Sequence, residues 1–253
     1  MDLEVIIPAR LLSTRLKNKI LIDIHGIPMI EHVRRRVLLS KKVKKVTVAT
    51  CDYEIKKVVE GFGGNVFLTS ENHINGTSRV AEVVKKINCS HILIVQGDEP
   101  LILPKHIDLM IESISNFREL NIWNGITYLN SKKDLNNPNL VKCFVNKKSQ
   151  IGMCFRNNPI FSDFNKLNKS IFKLQGLLAF KKSFLINLVK LKPSSFEISE
   201  SIEQMRAIEN GDLIKAVFLD KPFLSVDNIE QLEEVKNILK QNKLQKEILK
   251  KIK

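Results

Sequence analysis

The sequence predicts an α/β fold, an open mixed sheet flanked by helices, and three observations lead there. Over the first half, short runs rich in Val, Ile and Leu alternate with longer segments of helical spacing. Past residue 118 the helices thin out, and strand-like runs follow one another across polar turns. A length of 253 residues with 43% hydrophobic content suits one large domain, or one with an inserted region. We read a single domain over 1–253, with a first half at 1–118 and a second at 119–253.

Taken in order, Glu4–Pro8, Val43–Ala49, Asn65–Leu68 and His91–Val95 are the first strands. Parallel strands buried on both faces read as continuous apolar runs, as these do. Between them Pro28–Ser40, Asp52–Phe62 and Thr77–Asn88 carry helical spacing, the second closed by Gly61, Gly63 and Gly64. Pro104–Arg118 is a further helix. Asn121–Tyr128, Leu140–Asn146, Gly152–Arg156 and Leu174–Phe180 then read as strands, and Asp163–Ser170, rich in Asn and Lys, as a loop. Helices at Ser183–Leu191 and Ser199–Asn210, a strand at Ile214–Phe218 and a last helix from Ile229 complete the chain. An open sheet of this kind carries its site at the carboxyl ends of the parallel strands.

Composition narrows the function. No apolar run approaches the roughly 20 residues of a membrane span, and the N-terminus enters a strand without signal-peptide regions, so a soluble cytoplasmic protein with no membrane partner is expected. Cys51, Cys89, Cys143 and Cys154 lack zinc-type spacing and read as reduced thiols. The net charge of +14 raises the alternative of a basic nucleic-acid-binding module. Only 6% of the residues are aromatic, however, which leaves the basic stretches without stacking rings. The densest run, Lys236 to Lys253, reads as the solvated face of an amphipathic helix. No specific nucleic-acid partner is expected, and an anionic substrate accounts for the charge.

Five stretches carry chemistry. Directly after the first strand come Ala9, Arg10, Ser13, Thr14, Arg15 and Lys19. Forking arginines and hydroxyls at the end of a parallel strand suit a polyphosphate, although a solvated basic turn has the same composition. The run lacks glycine, so it is neither a Walker loop nor a dinucleotide fingerprint. Gln96-Gly97-Asp98-Glu99-Pro100 follows the fourth strand and presents Asp98 in the same crevice. A carboxylate facing a polyphosphate calls for a divalent cation between them, which makes Asp98 a Mg²⁺ ligand candidate; a plain surface turn is the alternative. Asp227 precedes the last helix and is either a second Mg²⁺ ligand or that helix's N-cap. Gly76, Thr77 and Arg79 open a helix and suit nucleotide contact, with capping by Thr77 as the plainer role, while His73 is read as exposed and inert. Glu197, Glu200, Gln204 and Arg206 lie on a predicted helix and suit a polyhydroxylated substrate or simple solvation.

Together, Pro8-Ala9-Arg10-x-x-Ser13-Thr14-Arg15-Leu16-x-x-Lys19, Gly26-x-Pro28-Met29-Ile30, Val48-Ala49-Thr50, Gly76-Thr77-x-Arg79-x-Ala81-Glu82, Gln96-Gly97-Asp98-Glu99-Pro100, Asn137-Pro138-Asn139-x-Val141-Lys142, Glu197-x-x-Glu200-x-x-Glu203-Gln204-x-Arg206 and Val226-Asp227 resemble the 3-deoxy-D-manno-octulosonate (Kdo) cytidylyltransferase family, the CMP-Kdo synthetases. The resemblance runs from Val5 to Leu239. It implies a nucleotide-diphospho-sugar transferase-like fold with a small inserted dimerisation and sugar-binding region, a nucleotide-binding half at 1–118, and a sugar-binding, dimerising half at 119–253. It implies a cytoplasmic homodimer that couples CTP to Kdo or a related acidic 2-keto-3-deoxy sugar. The products would be pyrophosphate and a CMP-sugar for lipopolysaccharide or capsule synthesis.

By the family pattern Ala9, Arg10, Ser13, Thr14, Arg15, Lys19, Thr77, Arg79 and Gln96 would hold the nucleotide, with Arg15, Lys19 and Asp98 catalytic. Asp98 and Asp227 would ligate Mg²⁺. Gln96, Arg156, Gln175, Glu197, Glu200 and Gln204 would meet the sugar. Two positions depart from the pattern. Asn157 stands where the family has an arginine, and Gln175 stands where it has a histidine. The acceptor is therefore Kdo or a different surface-glycan precursor.

Overall fold

The computed structural model describes residues 1–13, 15–129, 131–157 and 169–253, which form two compact units. The first comprises Asp2–Asp108 together with Phe223–Lys253, the second Leu109–Pro222. The chain's last segment thus folds with its beginning. Sequence order alone had placed it with the second half.

In the first unit the strands are β1 Leu3–Pro8, the two-residue β2 Asp23–Ile24 and β3 Ile27–Pro28, β4 Val46–Thr50, β5 Asn65–Leu68 and β6 His91–Val95. The parallel strands lie in the order β5-β4-β1-β6, and every residue of β4 and β6 is buried. Helices Met29–Leu38, Tyr53–Gly61 and Gly76–Lys86 follow β3, β4 and β5, as the alternating pattern predicts. The β2–β3 hairpin was not anticipated. Its turn places His25 and Gly26 at φ of 55° and 94°, and buried His32 grips Ile24 O through Nε2 at 2.6 Å. Burial pushes the His32 imidazole down to about 4, so it sits there neutral.

The single last helix expected from Ile229 is two helices, Ile229–Gln241 and Lys243–Ile252. Asn242 ends the first and caps the second, accepting from Gln245 N at 3.1 Å. The lysine-rich second helix is solvated on one side only. Ile248 and Ile252 pack with Ile27 and Leu103, and fully buried Arg36 donates to Gln245 Oε1 at 2.7 Å.

The second unit contains β7 Ile122–Tyr128, β8 Lys142–Val145, β9 Gln150–Phe155, β10 Ile171–Lys181 and β11 Ile214–Phe218. Their order is β10-β7-β11-β9-β8, and β8 also pairs with β10, which closes the strands into a ring. Between Leu174↔Ile126 and Leu178↔Asn124 the β10–β7 register shifts, setting Gln175, Gly176 and Leu177 against Gly125 alone. A Cβ on Gly125 would lie 2.9 Å from Leu219 Cδ1 and 3.2 Å from Leu177 Cβ, so glycine is required where the bulge crowds it. A short helix at Lys132–Asn136 was not anticipated. The helix read over Ser199–Asn210 is instead Ser195–Glu200 and Gln204–Glu209, broken at Ser201 with φ of 54°. The loop read over Asp163–Ser170 lies largely outside the described residues.

Candidate active site

At the carboxyl ends of β1 and β6 opens a cavity of about 340 Å³, wholly within the first unit. One wall is the cationic loop: Ala9, Arg10, Leu12, Ser13, Arg15 and Lys19. Opposite stand Gln96, Gly97, Asp98 and Asp227, and the start of helix Gly76–Lys86 closes a third side with His73, Asn75, Gly76 and Arg79. Residues from four separate stretches of sequence meet here. Thr14 lies outside the described residues, and Thr77, buried in the first turn of its helix, is not among the lining residues.

The start of the loop is anchored by backbone bonds. Ala9 N donates to Ala49 O at 2.9 Å, continuing the β1–β4 ladder, and Leu11 N donates to Asp52 Oδ2 at 2.8 Å. Gly97 follows β6 with an ordinary backbone. Its need for glycine is space rather than a sharp exit: a Cβ would lie 3.3 Å from Pro8 O and 3.2 Å from Ile30 Cδ1. Asp98 is thereby brought over the end of β1, and its carbonyl accepts from Val226 N at 2.9 Å.

Asp227 does not cap helix Ile229–Gln241. Asn228 does, accepting from Gln231 N at 2.9 Å, while the Asp227 backbone N–H donates to Gln231 Oε1. Its carboxylate turns instead to the loop, where Oδ1 accepts from Arg15 Nη2 at 2.9 Å and Lys19 Nζ at 3.1 Å. Lys19 Nζ also donates to Asp98 Oδ2 at 2.6 Å. Burial works against the Lys19 ammonium, but Asp98 and then Asp227 outweigh it and hold its pKa above the ordinary lysine value. Among the described residues no third His, Cys, Asp or Glu joins these carboxylates in a metal-type group. Two carboxylates with room for phosphate oxygens and water suit Mg²⁺, which keeps several non-protein ligands.

Helix Gly76–Lys86 is capped by Asn75, whose side chain accepts from Ser78 N at 2.9 Å; the capping role considered for Thr77 belongs to Asn75. Arg79, 3% exposed, binds Thr69 Oγ1 and Ser70 O, so its guanidinium is fixed before any ligand arrives. His73 is not a free exposed ring: its Nε2 lies 2.6 Å from Glu82 Oε2. That hydrogen bond, opposed in part by burial, holds the Glu82 carboxyl below its ordinary range. Their nine-residue separation across a loop and a helix start gave no periodic signal.

In the second unit the residues read as sugar-facing fall into separate bonded groups. Gln204 Nε2 donates to Asn124 Oδ1 at 2.9 Å, Asn124 Nδ2 to Gln175 O at 3.0 Å, and Gln175 Nε2 to Thr127 Oγ1 at 2.8 Å. Gln175, in the bulge, is 4% exposed and its Oε1 has no partner. Both oxygens of Glu197 are occupied by Arg206, at 2.7 and 2.5 Å, and Oε2 also accepts from Ser194 N. Glu197 therefore clamps two helices together and has no oxygen directed at a ligand. Arg156 is held through Nε by Glu200 O at 2.9 Å, and its backbone N–H donates to Glu200 Oε2 at 2.7 Å. Asn124 and Lys142, both buried, join these groups without having been singled out for them.

A family described as Cytidylyltransferase matches residues 4–217. The chain is 37% identical over 251 residues to a 3-deoxy-manno-octulosonate cytidylyltransferase of Geobacter sulfurreducens, covering 95% of this chain and 100% of that protein. It is 39% identical over 240 residues to one from Fusobacterium nucleatum, covering 94% and 97%. Among solved structures, CMP:2-keto-3-deoxy-manno-octonic acid synthetase complexed with CTP matches with a TM-score of 0.89 at 30% identity, over 95% of this chain and 99% of that one. A putative glucose-1-phosphate thymidylyltransferase from Bacillus anthracis, at 13% identity and a TM-score of 0.70 over 94% of this chain and 96% of that one, shares the fold.

Proposed function

The chain belongs to the cytidylyltransferase family, and from that premise we propose that it joins CTP to Kdo, giving CMP-Kdo and pyrophosphate. The observation that carries this reading is the cavity, where Arg10, Ser13, Arg15 and Lys19 face Asp98 and Asp227. Cations on one side meet the triphosphate, and carboxylates on the other would hold Mg²⁺ against it. In the reaction the anomeric hydroxyl attacks the α-phosphorus in line, its proton departs, and the bond to the β-phosphate oxygen breaks as pyrophosphate leaves. Arg15 and Lys19 neutralise charge growing on the leaving group, Arg79 and Gln96 orient the nucleotide, and no side-chain nucleophile is needed. Mg²⁺, held by Asp98 and Asp227, would supply Lewis-acid polarisation of the phosphate oxygens.

Pyrophosphate release is measured with CTP, UTP, ATP and GTP against Kdo and a panel of acidic sugars, and products are read by mass. CTP with Kdo is expected to dominate; absence of a CTP preference with every acidic sugar overturns the reading. A second reading keeps CTP and changes the acceptor. Supporting it is Gln175, a neutral amide with a buried unpartnered oxygen that suits a donor group on the sugar rather than a carboxylate. Turnover of another acceptor above Kdo in the same matrix selects it. The proposal includes a cytoplasmic homodimer serving lipopolysaccharide or capsule synthesis, with light scattering on the purified protein as the test of the dimer. Among the described residues no helix is long and apolar enough to cross a membrane.

A further inference from the structure

Lys19 answers both carboxylates. An ammonium has three protons to donate. Here they meet Asp98 Oδ2 at 2.6 Å, Val226 O at 3.0 Å and Asp227 Oδ1 at 3.1 Å, on a side chain only 14% exposed. The main chain of both acids is placed independently of Lys19. Val226 N donates to Asp98 O at 2.9 Å and Asp227 N to Gln231 Oε1 at 2.7 Å, so backbone bonds fix both residues. If the ammonium moved away, Asp227 Oδ1 would keep Arg15 at 2.9 Å while the Asp98 carboxylate would lose the cation at 2.6 Å, leaving the pair one positive charge short.

That arrangement has a consequence for order of binding. A positive charge in contact with an oxygen of each acid opposes the approach of a divalent cation to the same oxygens. A triphosphate, with several negative charges held by Arg10 and Ser13 on the loop wall, offers Lys19 better partners than two carboxylates. Lysine suits the exchange because its point charge rides on a flexible four-carbon stem, whereas a guanidinium would be held by its fork. We propose that Lys19 is a resident counter-cation. It holds Asp98 and Asp227 compensated in the free enzyme, keeps divalent cations off them, and moves to the phosphates when the nucleotide enters, so that metal and nucleotide load together. The proposal rests on the reading of Asp98 and Asp227 as the metal ligands.

Mn²⁺, as a paramagnetic substitute for Mg²⁺, is titrated, without and with CTP, into the wild-type protein, D98N, K19M, K19R and K19M/D98N, with binding read from water-proton relaxation. Without CTP, K19M is expected to bind Mn²⁺ roughly tenfold or more tighter than wild type, one unit of opposing charge having gone. K19R should remain as weak as wild type, and K19M/D98N should lose the gain. Equal affinity in K19M and wild type, where wild type with CTP shows strong protein-dependent enhancement that D98N abolishes, overturns the role of Lys19 and leaves the metal reading standing. Tight binding that D98N does not diminish overturns both. Should K19M fail to fold, wild type decides. Tight Mn²⁺ binding without nucleotide overturns the proposal, and weak binding that strengthens with CTP upholds it.

Discussion

Charged side chains around the loop wall of the first unit's cavity and those of the second unit are satisfied in opposite ways. In the second, Glu197 and Arg206 exhaust one another, Arg156 is tied to Glu200, and Lys142 donates to the carbonyls of Asn137, Leu140 and Arg156. In the first, the cavity presents Arg10 and Ser13 without such bonds among the described residues, and pairs Arg15 with Asp227 and Lys19 with Asp98, Asp227 and the Val226 carbonyl at its open lining. A charge whose partner is permanent holds the fold together, and one whose partner is exchangeable is available for chemistry. The same residue types, arginine with a carboxylate, serve both ends.

The contrast is tested most severely at Asp98 and Asp227. D98N and D227N should each lower kcat by about 1,000-fold or more, equivalent to ~4 kcal/mol of transition-state stabilisation. The melting temperature should change little, because the backbone bonds of both residues persist in the amide variants. A retained rate in either variant removes that residue from the site, and collapse of the fold would place it with the structural charges.

Arg206→Met tests the opposite end. It strands buried Glu197 and releases the carbonyls of Leu188 and Leu191, and should cost about 3 kcal/mol in denaturant unfolding. Under conditions where the variant remains folded, kcat should change far less than in D98N. A loss of kcat without loss of stability would make Glu197–Arg206 part of the chemistry.

Lys142 gives a smaller effect with a sign fixed by pH. Burial, and then the Arg156 charge, push its amine down to about 8. Between that value and the ordinary lysine pKa of ~10.4, the unfolded chain binds a proton that the folded chain lacks, so this group's contribution to stability rises with pH. Wild type should gain about 2 kcal/mol relative to K142M between pH 8 and pH 10. The difference is read from paired urea titrations. A flat difference would show that Lys142 keeps its proton in the fold, its three carbonyl partners outweighing burial.

The sequence made the central strands of the first unit legible because burial on both faces leaves an unbroken apolar run: His91–Val95, buried throughout, falls where the composition puts it. Asp98 was legible for a related reason, since it follows such a run immediately. Asp227 was ambiguous in principle, as an aspartate before a helix caps or faces outward with equal ease, and only Asn228's bond to Gln231 decides between them. The break at Ser201 was hidden because apolar spacing continues across it, while the bulge at Gln175 depends on how β10 meets β7, a pairing between distant segments. His73–Glu82 was missed because two loop-to-helix residues meet through tertiary geometry rather than any repeat.

Asp52 offers the finest test, since it stands between the two kinds of charge. Its carboxylate is a permanent partner, accepting from Leu11 N at 2.8 Å and from the Cys51 thiol at 3.7 Å, yet what it fixes is the loop that must receive an exchangeable ligand. D52N keeps an oxygen of the same shape without the charge, so the bond to Leu11 weakens by about 1 kcal/mol rather than vanishing. A loosened loop pays its ordering entropy on binding, and KM for CTP should rise about fivefold with kcat nearly unchanged. D52A, which removes the acceptor, should raise KM further in the same direction. A fall in kcat at constant KM in either variant would mean that Asp52 acts on the reacting phosphate through the loop, and the division between permanent and exchangeable charges would then fail at the residue that joins them.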